Sequence, residues 1–155
     1  GFKDSLLTKG ADVVSTRIEA LGASLQTTTT VPHNKDEISA ALDPAMDLIL
    51  ILGASATSDR SDVIPAAIVE AGGRIDRFGM PVDPGNLLVL GDLGGTPVVG
   101  LPGCARSPAM NGVDWVLERI AARLPIDGNA IAQMGVGGLL KEMPGRPQPR
   151  EPGTH

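Results

Sequence analysis

The sequence predicts a three-layer α/β/α fold built on a mostly parallel (mixed) sheet with one antiparallel hairpin. Three observations carry this reading. Leu48 to Leu52 are consecutive large aliphatics without polar alternation, the pattern of a short strand buried on both faces. Helix-periodic stretches alternate with β-prone runs along most of the chain, which favours a sheet covered by helices. Two apolar runs, Leu87–Leu90 and Pro97–Leu101, flank Gly91-Asp92-Leu93-Gly94-Gly95-Thr96 and read as a hairpin with a short loop.

In chain order, Lys3–Leu21 has the spacing of an amphipathic helix. Leu7, Ala11, Val14, Ile18 and Leu21 share one face, Asp4 or Ser5 can cap it, and Gly22 stands where a C′ glycine belongs. Ala23–Val31 is threonine-rich and β-prone, and Pro32 ends it. Asn34 can cap a short helix carrying Ile38, Ala41 and Leu42, closed by Asp43-Pro44. After the aliphatic strand, Asp62 precedes a helix over Val63–Ala71 that stops at Gly72-Gly73. Arg74–Met80 suits a strand, and Pro81-Val82-Asp83-Pro84-Gly85-Asn86 is dense in turn formers. Beyond the hairpin, Ser107 and Pro108 suit the N-cap and first position of a helix to Leu124, with Val113, Val116, Leu117, Ile120 and Leu124 inward. Ala130–Met134 suits a short helix. Residues 1–142 are expected to form the domain, and the proline-rich residues 143–155 an exposed linker or tail. Such folds normally open on a strand. Here the first strand is expected either before Gly1 or late in the order.

The bulk properties narrow the function. With 155 residues and 42% hydrophobic content, one domain with a sizeable core is expected. Aromatics are only 2%, so that core is aliphatic. A net charge of −5 argues against a nucleic-acid or anionic-membrane partner. There is no apolar run of roughly 18 residues that would span a bilayer. The first residue is Gly1 rather than Met, which suggests a trimmed chain. Cys104 is the only cysteine and the histidines are only His33 and His155, so an internal disulfide and a Cys/His metal centre are both set aside. The cytoplasm is the default compartment.

Three polar loops remain as carriers of chemistry. The first, Gly53–Asp62, holds Ser55, Thr57, Ser58, Ser61, Asp59 and Asp62. Its N–H groups and hydroxyls suit phosphate, and its carboxylates suit a metal or an oriented nucleophile. A solvated connection with Asp62 as a helix cap is the alternative. The second, Met80–Asn86, suits either a ligand wall or a plain turn. In the third, Leu101–Pro108, backbone N–H groups and Arg106 suit an anion, whereas a rigid turn explains the same residues. Cys104 has no histidine near it in sequence, which favours a small packed thiol over a nucleophile. No phosphate-loop Gly-Lys-Ser/Thr, no dinucleotide fingerprint and no G-x-S-x-G elbow occurs.

Together the loops resemble the molybdopterin-binding domain family of molybdopterin adenylyltransferases, molybdate-insertion proteins and gephyrin. Ile51-Leu52-Gly53-Ala54-Ser55 through Ser58-Asp59 is similar to the family's strand, Thr-Gly-Gly-like turn and acidic loop. Asp62-Val63-Ile64-Pro65 resembles its Asp-Val-Thr-Pro helix start. Met80–Asn86 stands at its Lys-Pro-Gly-Lys-like turn, and Gly100-Leu101-Pro102-Gly103-Cys104-Ala105 at its Gly-Leu-Pro-Gly-Asn-Pro. The order and spacing hold over roughly Leu6–Leu124. Three departures fall at the ligand positions: Ala54 replaces a glycine, the turn's lysines are absent, and Cys104-Ala105 replace Asn-Pro.

The resemblance implies molybdopterin or molybdenum cofactor as ligand, in biosynthesis or handling of that cofactor. Gly53, Ala54, Ser55, Ser58, Pro84, Gly85, Pro102, Gly103, Cys104, Arg106 and Ser107 are the implied binding residues. Asp59 and Asp62 are the implied catalytic groups and the ligands of Mg²⁺ or molybdate, and Cys104 is a soft contact. An active adenylyl- or molybdate-transferase is the first alternative. A non-catalytic oligomerisation or docking module is the second. By the same resemblance, a homodimer or homotrimer is implied, and a fused guanylyltransferase-type nucleotidyltransferase domain beyond the tail.

Overall fold

The computed structural model describes residues 2–54 and 57–135. The expected tail over 143–155 and the candidate Ser55 lie outside them. Helix α1 spans Phe2–Ala20, α2 Lys35–Ala41, α3 Val63–Glu70, α4 Gly112–Ala121 and α5 Gly128–Ala132. The strands are β1 Ile49–Leu52, β2 Arg74–Phe78, β3 Val89–Leu93 and β4 Thr96–Leu101, with a 3₁₀ turn over Gly103–Arg106.

The sheet is mixed, in the order β1-β4-β3-β2. Among the described strands only β1 and β4 run parallel; β3 pairs antiparallel with both β4 and β2. The parallel share is therefore one pair, and the expected hairpin is β3–β4. Period-two alternation divides the side chains between two cores. Leu48, Leu50, Leu52, Leu88, Leu90, Val99 and Leu101 pack with Val14 and Ile18 of α1 and Val113, Val116 and Leu117 of α4. Ile49, Ile51, Val89, Val98 and Ile75 pack on the other face with Ile64 and Ile68 of α3. Helices thus cover both faces, giving three layers.

β1 does touch both cores, as its unbroken aliphatic run implies. Yet its four residues are only half-buried, because it is an edge strand with β4 as its single partner. Residues 23–31 form no strand. They run extended, almost wholly exposed, with Leu25 40% accessible. β-propensity is a weak preference without a neighbouring ladder to satisfy the backbone.

Local chemistry explains most helix ends. α1 closes in a Schellman motif: the Gly22 N–H donates to Glu19 O (2.9 Å) and the Ala23 N–H to Ile18 O (3.2 Å), with Gly22 at φ +77°. Val14 and Ile18 are buried, but Leu7, assigned to the same face, is 40% exposed. α2 starts as expected, with Asn34 accepting from the Glu37 N–H. α4 starts later than expected. Ser107 and Pro108 do not begin it; Asn111 is its N-cap and forms a capping box with Asp114. Leu124 lies beyond α4 and is 51% exposed.

Candidate three-loop site

Strand register brings the three loops to one end of the sheet. Leu52 of β1 pairs in parallel with Leu101 of β4, so Gly53 and Pro102 leave the sheet side by side. Gly100 pairs antiparallel with Val89, and Val89 with Phe78. The connection from β2 to β3, residues 79–88, therefore lies at that same end. Loop ends beyond the carboxyl ends of parallel strands are a common ligand position in α/β folds.

The loops are also fastened to one another. Arg106 donates from Nη2 to the carbonyl of Gly53, tying the third loop to the first. The Gly112 N–H donates to Pro84 O at 2.8 Å, tying the second loop to the start of α4. Gly85 is buried at φ +127°, and a Cβ there would lie 2.8 Å from Asn111 Oδ1 and 2.9 Å from Gly112 N. Glycine is required at that position by both backbone and space. The second loop also carries a cis Asp83–Pro84 bond.

In the first loop, Asp62 does not cap α3. It occupies the N-cap position with extended backbone but makes no capping bond from its side chain. Instead Oδ2 accepts from the N–H of Ser58 (2.6 Å) and of Asp59 (2.9 Å), folding the carboxylate back into the loop. Asp59 Oδ1 accepts from the Ser61 N–H at 2.7 Å. That backbone bond holds the Asp59 carboxyl below the usual carboxylate range. Both acidic groups thus order the loop, and Asp62 does so through Oδ2. Among the described residues no group of three or more His, Cys, Asp or Glu is placed to hold a metal. Thr57 is nearly buried beside these groups, whereas Ala54, Ser58, Gly103 and Ser107 are exposed.

The third loop has two supports that sequence reasoning missed. Arg17 reaches from α1 to pair with Asp114 and donates to the carbonyls of Ser107 and Ala109, the latter at 2.9 Å. Its side chain is only 9% exposed. Asn111, 1% exposed, donates from Nδ2 to Cys104 Sγ at 3.1 Å and accepts from the Val113 N–H at 3.1 Å. The Asn-x-x-Asp spacing of Asn111 and Asp114 was a readable capping signal; nothing local marks Arg17. A groove of ≈ 420 Å³ between α1 and α4 includes Arg17, Met110 and Asp114 but no residue of the first two loops. It meets the third loop at Pro108.

The chain is an α/β domain whose glycine- and hydroxyl-bearing loops gather at one sheet end. Residues 6–122 match the family model described as a probable molybdopterin binding domain, and the chain belongs to that family. Among solved structures it is similar to the molybdopterin biosynthesis moea protein from Pyrococcus horikosii, with 23% identity and a TM-score of 0.55. The match covers 75% of this chain and 29% of that one, so this chain spans under a third of that protein's length. Comparison with curated proteins gives no match. No described helix is long and apolar enough to cross a membrane.

Proposed function

We propose that the three-loop end binds the pterin phosphate of molybdopterin, and that the domain acts in biosynthesis or handling of the molybdenum cofactor. The observation that carries this reading is the convergence of the three loops at one sheet end, bonded through Arg106–Gly53 and Gly112–Pro84. The donor chemistry fits an anionic ligand. Arg106, which spends only Nη2 on Gly53, is the cationic donor among these loops, and Ala54, Ser58, Gly103 and Ser107 are exposed at the same sheet end. Gly53, Pro84, Gly85 and Pro102 supply the close backbone walls, and Cys104 a soft atom beside them. Asp59 and Asp62 are the groups proposed to hold hydrated Mg²⁺.

Calorimetric titration of the chain with purified molybdopterin, with and without Mg²⁺, tests the reading. Saturable binding is expected; heat no greater than buffer dilution would overturn it. Whether the bound pterin is also transformed turns on the two carboxylates. If turnover of molybdopterin survives both Asp59→Asn and Asp62→Asn, the adenylyl- or molybdate-transferase reading fails and a binding role stands.

A further inference from the structure

We propose that Asn111 is a positioning residue, which fixes the Cys104 thiol at the third loop. The proposal rests on the molybdopterin-binding reading for its effect on ligand, but its geometry does not. Asn111 is buried where three segments meet. Its Oδ1 is committed to the Val113 N–H, and only the carbonyl end of the amide can accept there. The amide orientation is thereby set, and Nδ2 must face Cys104 Sγ, at 3.1 Å. The backbone N–H of Asn111 donates to Asp114 Oδ2 at 2.8 Å, so the residue is held at both ends. The Arg17–Asp114 pair braces the same point from α1.

The thiol is otherwise poorly constrained. Cys104 is half-exposed, on a 3₁₀ turn of four residues closed by Ala105 N–H to Pro102 O and Ser107 N–H to Cys104 O. These bonds fix its backbone and leave χ1 free. The Asn111 amide is the described group that selects a rotamer. The second loop enters through Gly85, whose missing Cβ lets the turn lie against Asn111 Oδ1 and Gly112 N. Asn111 therefore has two roles that substitution can separate: helix cap and thiol holder.

Asn111→Ser keeps a capping oxygen but is too short to hold the sulfur. Cys104 is the only cysteine, so its alkylation by iodoacetamide at fixed pH reads the thiol alone, without ligand. Loss of the amide donor, which favours the reactive thiolate, should slow alkylation roughly three- to tenfold, the scale of one side-chain hydrogen bond. Molybdopterin affinity should fall by a similar factor, and Asn111→Ser should add nothing further in a Cys104→Ala background. An alkylation rate within twofold of the parent in the folded variant overturns the proposal. So does an equal loss of affinity with and without Cys104, since a mere cap would act in both. If Asn111→Ser does not fold, Asn111→Asp keeps both cap and size. Its carboxylate beside the sulfur repels the reactive thiolate, so alkylation should slow by at least threefold; an unchanged rate overturns the contact. Slower alkylation of Asn111→Ser alongside no molybdopterin binding by the parent chain would sink the functional reading and leave the positioning role intact.

Discussion

Replacing Gly85 by alanine should damage this fold more than any change at an open turn glycine, and the structure sets the scale. Two costs add. At φ +127° an L-residue is strained, by at least the ~1–2 kcal/mol typical of left-handed backbone. The new Cβ would also sit 2.9 Å from Gly112 N and 3.0 Å from Gly112 Cα. These are backbone atoms at the first turn of α4 and cannot swing aside, so overpacking adds about 1–3 kcal/mol. Together the loss is about 2–5 kcal/mol, or roughly 10 °C in Tm for a chain of this size. Gly94→Ala supplies the control. It too has positive φ, +64°, but nothing lies within 4 Å of its Cβ position, so only the backbone cost of about 1–2 kcal/mol applies. Urea unfolding of the two variants separates packing from strain. If Gly85→Ala unfolds within ~0.5 kcal/mol of Gly94→Ala, a difference inside the error of the method, the close contact between the second loop and α4 is wrong.

The remaining expectations follow from the same contacts. Arg17→Met should cost about 2–4 kcal/mol, because it strands Asp114 and two loop carbonyls; a loss under ~1 kcal/mol by chemical denaturation would refute the bracing role. Asp62→Asn removes the charge that gathers the Ser58 and Asp59 N–H groups, so hydrogen exchange at those two amides should accelerate while α4 amides stay unchanged. The folded-state pKa of Asp59 lies below its unfolded value, so its contribution is present above the ordinary carboxylate range and is lost as pH falls through the folded value. Asp59→Asn should accordingly lower Tm across the neutral region and leave the acid end, below the folded value, unmoved, so that the acid limb flattens; a parallel shift at all pH values would contradict this. Lys35, raised by its hydrogen bond to Glu70, gives the opposite sign: its contribution holds below the ordinary lysine range and disappears as pH rises through the folded value, which Lys35→Met should abolish.

What could be read in the chain was whatever depended on neighbours in sequence. The Gly22 helix stop, the Asn34 cap and the β3–β4 hairpin each rest on a few adjacent residues and appear as expected, and the aliphatic run of β1 forms its strand, though half-buried at the sheet edge. Reasoning failed where distant partners decide. Thr27–Thr30 prefer a strand but find no ladder, so preference counts for nothing there. Asp62 has the identity and place of a cap, yet two N–H groups behind it compete for the same oxygen and win. The proposed site lies between these cases. Its three loops were legible singly as turns, each with an equally good reading as a plain connection. Their common location follows only from register: β1 beside β4, and β4 beside β3, put Gly53, Pro102 and Gly85 at one end. The groups that then fasten the third loop to the helices, Arg17 and Asn111, bind carbonyls and a sulfur that no local pattern marks. A sequence therefore announces the walls of such a site more readily than its fastenings, because walls are built from local turns and fastenings from partners as far apart as the 97 positions separating Arg17 and Asp114.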